Sequence, residues 1–327
     1  MSKLVTIFGG SGFVGRYITR RMAEDGWRVR VAVRRPNEAL HVRPYGVVGQ
    51  VEPVACNIRD DDSVRQVMHG ADAVINCVGV LNELGRNSFD AIHAEGAGRI
   101  ARIAAEEGVT RMVHLSAIGA SAEAASAYAR SKAAGEAAVL GHMPDAMVLR
   151  PSIIFGTEDE FFNRFASMTR FGPVLAIVSP ETRFQPVFVD DVARAAVMGA
   201  TGAAGGGVFE LGGPEVKSFR GLMQQMLDTI HRRRVIIGIP MLAARIMAGV
   251  LDILKFVSFQ LFPNHILTRD QVKSLGSDNV VSDGARGFGD LGIEPVAMQS
   301  VLPDYLWKFR PSGQYNEIQK SAKNLNI

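Results

Sequence analysis

Tyr128 and Lys132 are the two residues of this chain best placed to do chemistry together. On a helix, a spacing of four puts the phenol and the ammonium on one face. The cation can then lower the phenol's pKa and fit it for proton transfer. Tyr128 and Lys132 have two readings, a working acid–base pair or a grip on a bound molecule.

What they would grip is indicated near the start of the chain. Gly9-Gly10-Ser11-Gly12-Phe13-Val14-Gly15 stands between the strand-like Leu4–Phe8 and the helical pattern Phe13–Asp25. Gly9 permits a tight turn, Gly12 lets backbone approach a pyrophosphate, and Gly15 lets the helix pack on the strand. The anion is then expected on free amide groups at the positive end of the helix dipole, with Gly9, Ser11, Gly12, Phe13, Val14 and Gly15 as the loop's cofactor-binding residues. A second strand, Val29–Val33, ends where dinucleotide sites often carry an acid for the adenosine ribose. Here Arg34-Arg35 stand instead, an arginine fork suited to the extra phosphate of NADP. NADP(H) is therefore expected over NAD(H), with NADPH the expected form. Asn57 and Ile58 follow the third strand, and Val78 and Gly79 the fourth, in positions suited to the adenine ring and adjoining backbone.

The elements that must position these residues form an α/β pattern. Strands are expected over Leu4–Phe8, Val29–Val33, Val51–Ala55, Ala73–Val78, Met112–Leu115 and Met147–Leu149, with helices over Phe13–Asp25, Phe89–Glu107 and Ala127–Leu140. This alternation predicts a doubly wound parallel sheet of the Rossmann type. Beyond Arg150-Pro151 helical segments dominate: 160–171, 191–200, 219–232, 241–262 and 296–307. Extended pieces at 186–189 and 208–211 are placed to return to the main sheet. The expected organisation is a nucleotide-binding domain over 1–155 with return segments near 184–213. A smaller, mostly helical lobe takes 156–183 and 214–310, and a polar tail 311–327.

Bulk properties exclude several classes. With 47% hydrophobic and 21% charged residues the chain can build a core, and a net charge of +3 demands no nucleic acid. Cys56 and Cys77, the only cysteines, provide no disulfide framework or metal spacing, and both are expected as small buried core residues in a reducing compartment. Strand-like sequence from Lys3 onward argues against a signal or transit peptide. The apolar run 235–262 is interrupted by Arg245, Asp252 and Lys255, so no membrane-spanning helix is expected. That run follows His231-Arg232-Arg233-Arg234. It has four readings: a core helix, a partner-docking element, an interfacial helix, or a substrate lid.

With the glycine loop and the Tyr128–Lys132 pair in place, the chain resembles the short-chain dehydrogenase/reductase superfamily over roughly residues 3–310. Arg150-Pro151 followed by Ile154-Phe155-Gly156, then Val189-Asp190-Asp191-Val192-Ala193 and Leu291-Gly292-Ile293-Glu294-Pro295, are similar to markers of its extended or atypical branches. On that resemblance Pro151 and Ile154 join the cofactor-binding residues. In relatives a hydroxyl completes the catalytic set, and Ser116 is the candidate here. Relatives usually carry that hydroxyl one or two positions later, where this chain has Ala117 and Ile118, and the other reading of Ser116 is a buried structural serine bonded to backbone. Gly12–Tyr17, His114–Ala117, Tyr128–Glu136, the segment 262–271 and the polar tail resemble one atypical subfamily, the NAD(P)H-binding accessory subunits of respiratory complex I, the NADH:ubiquinone oxidoreductase. The resemblance implies a tightly held, structural, non-catalytic NADPH. It also implies partners among complex I subunits of the peripheral arm near the quinone site, with peripheral contact at the membrane surface. Without a transit peptide, a bacterial form on the cytoplasmic side of the inner membrane is expected. The alternatives are an independent NADPH-dependent reductase or epimerase, and a redox sensor reporting through a partner surface.

Overall fold

The computed structural model describes residues 2–243, 246, 268–311 and 313. Most of the apolar run expected as a helix over 241–262, the start of the segment 262–271, and all of the tail 311–327 except 311 and 313 lie outside the described residues. The chain divides into two compact units. One comprises Met1–Ser152, Val189–Gly212 and Val281–Pro295; the other comprises Ile153–Phe188, Gly213–Val280 and Val296–Ile327.

The first unit is built on β1 (Leu4–Phe8), α1 (Phe13–Glu24), β2 (Arg28–Val33), β3 (Val51–Ala55), α2 (Asp61–Met68), β4 (Ala73–Asn76), α3 (Glu95–Glu106), β5 (Arg111–Leu115), α4 (Ala127–His142) and β6 (Met147–Pro151). These six strands and a seventh, Gly207–Leu211, form one parallel sheet in the order Gly207–Leu211, β6, β5, β4, β1, β2, β3. The order reverses beside β1, so the chain leaves β1 and β4 toward opposite sides and opens a crevice at their carboxyl ends. Strands such as β4, buried at all four positions, are apolar on both faces because helices cover both. On one side α2, α3 and α4 close over a core containing Val64, Met68, Ile100, Ile103 and Val139. On the other, α1 packs against the helix Val189–Thr201, fastened by a bidentate ion pair from Arg21 to Asp190.

Two details differ from the sequence pattern and bear on the site. β4 stops at Asn76 rather than Val78, because Asn76 Oδ1 accepts from the Val78 amide at 3.1 Å and turns the chain. The expected helix 89–107 starts with a π-helical turn, Asp90–Ala94, before the regular α3. An inserted turn of this kind re-aims the side chains it carries; here it carries His93. Of the two extended pieces expected to rejoin the main sheet, Gly207–Leu211 does so beside β6. Val187–Phe188 pairs instead with Ile154–Phe155.

The second unit centres on an aromatic-rich core that includes Phe155, Phe162, Phe184 and Phe219 with Leu222, Met226, Leu302 and Tyr305. Its helices Phe162–Met168, Phe219–Thr229 and Met298–Leu306 contact one another around this core. A parallel pair of strands, Val174–Val178 and Val235–Ile239, completes it.

Candidate nucleotide-binding site

The turn after β1 has the backbone required of a phosphate loop. Gly9 is in the left-handed region at φ 76°. Its N–H donates to Ala32 O at 3.0 Å, while the Gly12 amide donates back to Gly9 O at 3.0 Å. A Cβ at Gly15 would lie 2.2 Å from Gly9 O and 2.7 Å from Gly10 Cα. Gly15 therefore seats the first turn of α1 on the loop itself, rather than on the strand as the motif suggests. At Gly12 a Cβ would meet only Gly9 O, at 3.2 Å, so the space above it is open to a ligand. α1 has Gly12 as its N-cap, no side-chain cap and no acid in its first turn. Its first amides and the positive dipole end are left for an anion. Arg16 bonds back to the loop through Gly12 O at 3.3 Å and Ser11 O at 3.4 Å.

A cleft of about 300 Å³ opens here, walled by Gly9, Gly12, Phe13, Val14 and Gly15 on one side and by Cys77, Gly79, Val80, Leu81 and Tyr128 on the other. Seven residues expected from sequence thus share one wall set. Cys77 is a correction: only Cys56 is buried, whereas Cys77 is half-buried and faces the cleft. Desolvation pushes the Cys77 thiol up to about 12, so it is a thiol and not a thiolate at neutral pH.

The residues expected at the adenosine end lie outside this cleft and differ among themselves. Arg34 is exposed immediately after β2, with no side-chain partner among the described residues. Arg35 is not equivalent to it: Nη1 pairs with Glu38 Oε1 at 2.9 Å, both side chains largely exposed. The expected carboxylate-free fork is therefore one uncommitted arginine and one that already faces an acid. Asn57 sits in the turn entering α2, its amide donating to Ser63 Oγ at 3.0 Å and its Oδ1 accepting from Arg59 N at 3.2 Å. Ile58 is buried in the core against α3, which leaves only its backbone for a nucleotide. Pro151 closes β6, its carbonyl accepting from Ile118 N at 3.0 Å, while Ile154 belongs to the second unit.

The structure places Lys132 Nζ 5.9 Å from the Tyr128 ring centroid. The spacing predicts that the cation lowers the phenol's pKa. Instead desolvation pushes Tyr128 up to about 12. The reason lies in the lysine, which is buried, donates to Leu115 O at 3.0 Å, and is itself lowered to about 8, by burial foremost. Ser116 Oγ is buried and makes no hydrogen bond within the described residues, so the reading as a serine bonded to backbone fails for its side chain. Only its amide is engaged, donating to Leu149 O at 2.7 Å. On the neighbouring β-position His114 faces Asn76 Nδ2 through Nδ1 at 3.2 Å, leaves Nε2 unpartnered, and is pushed down to about 3 by burial and by Lys132.

Sequence reasoning missed the network that holds the cleft's second wall. The Val80 amide donates to His93 Nε2 at 3.0 Å, which places the ring proton on Nδ1, facing Ser131 Oγ at 2.9 Å. Ser131 Oγ in turn donates to Tyr128 O at 2.8 Å. Burial, and then Lys132, hold His93 down to about 3, so the ring is neutral and the tautomer fixed. Phe89 stacks on His93 with centroids 5.6 Å apart, and Tyr128 meets His93 edge-on at 5.3 Å. Ser131 stood inside the Tyr-Ala-Arg-Ser-Lys string and was legible; His93, a lone histidine in a helical run, carried no signal. Among the described residues no cluster of His, Cys, Asp and Glu holds metal-site geometry, and no helix is long and apolar enough to cross a membrane.

Comparison with known proteins agrees with this geometry. Residues 5–212 match the model of the NAD dependent epimerase/dehydratase family. NADH dehydrogenase [ubiquinone] 1 alpha subcomplex subunit 9, mitochondrial, of Arabidopsis thaliana is 35% identical over 316 residues, covering 95% of this chain and 79% of that protein. The ceramide reductase of Caulobacter vibrioides is 33% identical over 190 residues, 58% of each chain. Among solved structures, an NADPH-dependent quinone oxidoreductase from Escherichia coli, complexed with NADPH, superposes with a TM-score of 0.70 at 14% identity, covering 92% of this chain and 98% of that one. Glycine loop, sheet order and full-length similarity converge: the chain belongs to the NAD-dependent epimerase/dehydratase family and, within it, to the family of the complex I alpha subcomplex subunit 9 proteins.

Proposed function

We propose that this chain is an accessory subunit of a respiratory NADH:quinone oxidoreductase that holds NADP(H) as a structural element. The observation that carries the reading is similarity along 95% of the chain to a named subunit of that complex. The site supports it: Lys132 gives one of its three N–H donors to a backbone carbonyl and keeps the others for a ligand, while burial holds the Tyr128 proton tightly, an arrangement suited to gripping a nucleotide.

The residues present fit a dinucleotide. The space above Gly12 is open to a ligand, the start of α1 has no side-chain cap, and the Ser116 hydroxyl lacks a hydrogen-bond partner among the described residues. The first amides of α1 would hold the pyrophosphate, Arg34 the 2′-phosphate of NADP, and Gly79, Tyr128 and Lys132 the nicotinamide half. When bound, NADP(H) supplies a hydride donor or acceptor at its nicotinamide. The chain's own residues bind and orient it, and binding to the folded state alone stabilises that state. In this reading the protein is the bacterial form, peripheral on the cytoplasmic side of the inner membrane, contacting peripheral-arm subunits near the quinone site and the membrane surface.

Native mass spectrometry of gently solubilised membranes tests this. The respiratory complex should carry one copy of the chain together with NADPH. A chain found only as a free monomer or homo-oligomer, reducing a carbonyl substrate with NADPH, would establish the second reading, an independent reductase or epimerase. That alternative is favoured by the likeness to a ceramide reductase and by the retained Tyr128–Lys132 pair.

A further inference from the structure

Three short segments of the second unit are joined by hydrogen bonds to backbone carbonyls, and each sets an exposed apolar side chain beside a cation. They are Arg170-Phe171, Arg232-Arg233-Arg234-Val235 and Trp307-Lys308. The Val235 amide donates to Pro173 O at 2.9 Å as its strand pairs with Val174–Val178. Arg170 Nη2 donates to Lys308 O at 3.1 Å, and its guanidinium lies 5.1 Å from the Phe309 ring centroid. Arg232 Nε donates to Phe309 O at 2.8 Å; Arg234 reaches Thr169 O through Nε at 2.9 Å and Nη2 at 2.8 Å.

Each of these guanidinium bonds ends on a backbone carbonyl. Among the described residues no carboxylate pairs with Arg170, Arg232, Arg233, Arg234 or Lys308, whereas Arg21, Arg65, Arg102 and Arg150 elsewhere all find acids. The cations also feel one another: Arg232 is held below its ordinary value by burial and then by Arg234 and Arg170. Five positive charges gathered in a chain whose net charge is +3 form a concentrated source of field. Between them protrude Phe171, 90% exposed, Val235, 62%, and Trp307, 39%, with Val174 and Ile237 on the outer side of the paired strands.

We propose that this patch docks on a bilayer surface through anionic phospholipid headgroups. The proposal deepens the reading of a membrane-complex subunit and rests on it for its setting; the patch itself is a property of the isolated chain. Cations interleaved with aromatic and branched aliphatic tips match the headgroup boundary, where phosphates meet the charges and the apolar tips enter just beneath. Each apolar tip stands next to a cation in the chain, whereas a protein interface gathers its apolar residues in a charge-depleted centre.

The test sediments the full-length protein with vesicles of phosphatidylcholine alone or mixed with phosphatidylglycerol, at low and high salt. Binding to the mixed vesicles is expected, weakened by salt and about fivefold weaker for each of Arg233→Ala and Lys308→Ala. Both side chains are exposed and outside the nucleotide cleft, so NADPH binding and thermal stability should be unchanged and serve as the folding control. Phe171→Ser should weaken binding further without altering the salt dependence. Equal binding to both vesicle types, or undiminished binding by the Arg233→Ala, Lys308→Ala double variant, would overturn the proposal. So would absence of vesicle binding combined with loss of the double variant from the solubilised complex, which would assign the patch to an acidic protein partner. Vesicle binding by a chain that never co-purifies with the respiratory complex would uphold the patch while overturning the subunit reading.

Discussion

Replacing Lys132 with methionine should stabilise the nucleotide-free protein while loosening its hold on NADPH. The lysine is 5% exposed, it donates to Leu115 O at 3.0 Å, and its pKa falls from 10.5 to about 8. That depression corresponds to roughly 3 kcal/mol by which burial disfavours the cation in the folded state. Methionine carries no charge to desolvate but forfeits the bond to Leu115, about 1 kcal/mol. A net gain of about 2 kcal/mol is expected at pH 7. Because the folded pKa of this base is depressed, the unfolded chain holds the proton more tightly. The penalty is complete below pH about 8 and is relieved as pH rises toward 10.5, so the lysine's contribution to wild-type stability climbs through that window and the variant lacks it. The thiols of Cys56 and Cys77 act oppositely from pH about 9, and Tyr128 from pH 10, because the folded state keeps protons that the unfolded chain loses. These groups are common to both proteins, so the difference between wild type and variant in urea unfolding of the apo-protein at pH 7 and pH 9.5 isolates the lysine. In parallel, NADPH affinity should fall at least about tenfold if Lys132 anchors the nicotinamide ribose by a charge-assisted bond. A variant less stable than wild type at pH 7, or one with an unchanged slope of stability against pH, would refute the reasoning.

Three further outcomes are expected. Arg34→Ala should cost NADPH about tenfold or more in affinity and leave NADH nearly unaffected, while Arg35→Ala, already facing Glu38, should cost less; calorimetry giving equal affinities for NADPH and NADH in the wild type would end that argument. Gly15→Ala should destabilise the apo-protein by about 1–3 kcal/mol, its Cβ falling 2.2 Å from Gly9 O, whereas Gly12→Ala should fold normally and lose NADPH; thermal melts with and without nucleotide separate the two. Tyr128→Phe should leave membrane NADH:quinone activity within about twofold of normal, since only a hydrogen bond of about 1 kcal/mol is removed, and a collapse with subunit and NADPH retained would make Tyr128 a catalyst.

What was legible in the sequence was what short-range geometry dictates. The turn at Gly9, the start of α1 at Phe13 and the apolar strands β1 to β6 follow from steric and hydrophobic rules acting over a few residues. The second wall of the cleft was not legible, because it is assembled across the chain: Val80, His93 and Ser131 meet only once the π-helical turn has re-aimed the histidine. Cys77 looked like core because its strand is core until Asn76 bends the backbone. The strand Val235–Ile239 was absorbed into the apolar run after it, since a short continuous apolar stretch has no period to separate strand from helix. The inequality of Arg34 and Arg35 depended on where Glu38 falls, which spacing alone does not fix.

The seventh strand of the sheet has a consequence for how the protein is made. Residues 1–151 contain the phosphate loop, the Tyr128–Lys132 pair and six of the seven strands, but the partner of β6 is Gly207–Leu211. A ribosome adding roughly 5–20 residues per second needs several seconds to pass from Pro151 to Gly207. During that interval the nascent sheet has every group required to capture a dinucleotide, yet presents β6 as an unpaired edge, the kind of surface that templates aggregation. A nucleotide taken up at the opposite side of the crevice would hold β1, β4 and α1 together while the edge waits. Nucleotide bound at that stage would favour the folded sheet before its last edge is paired.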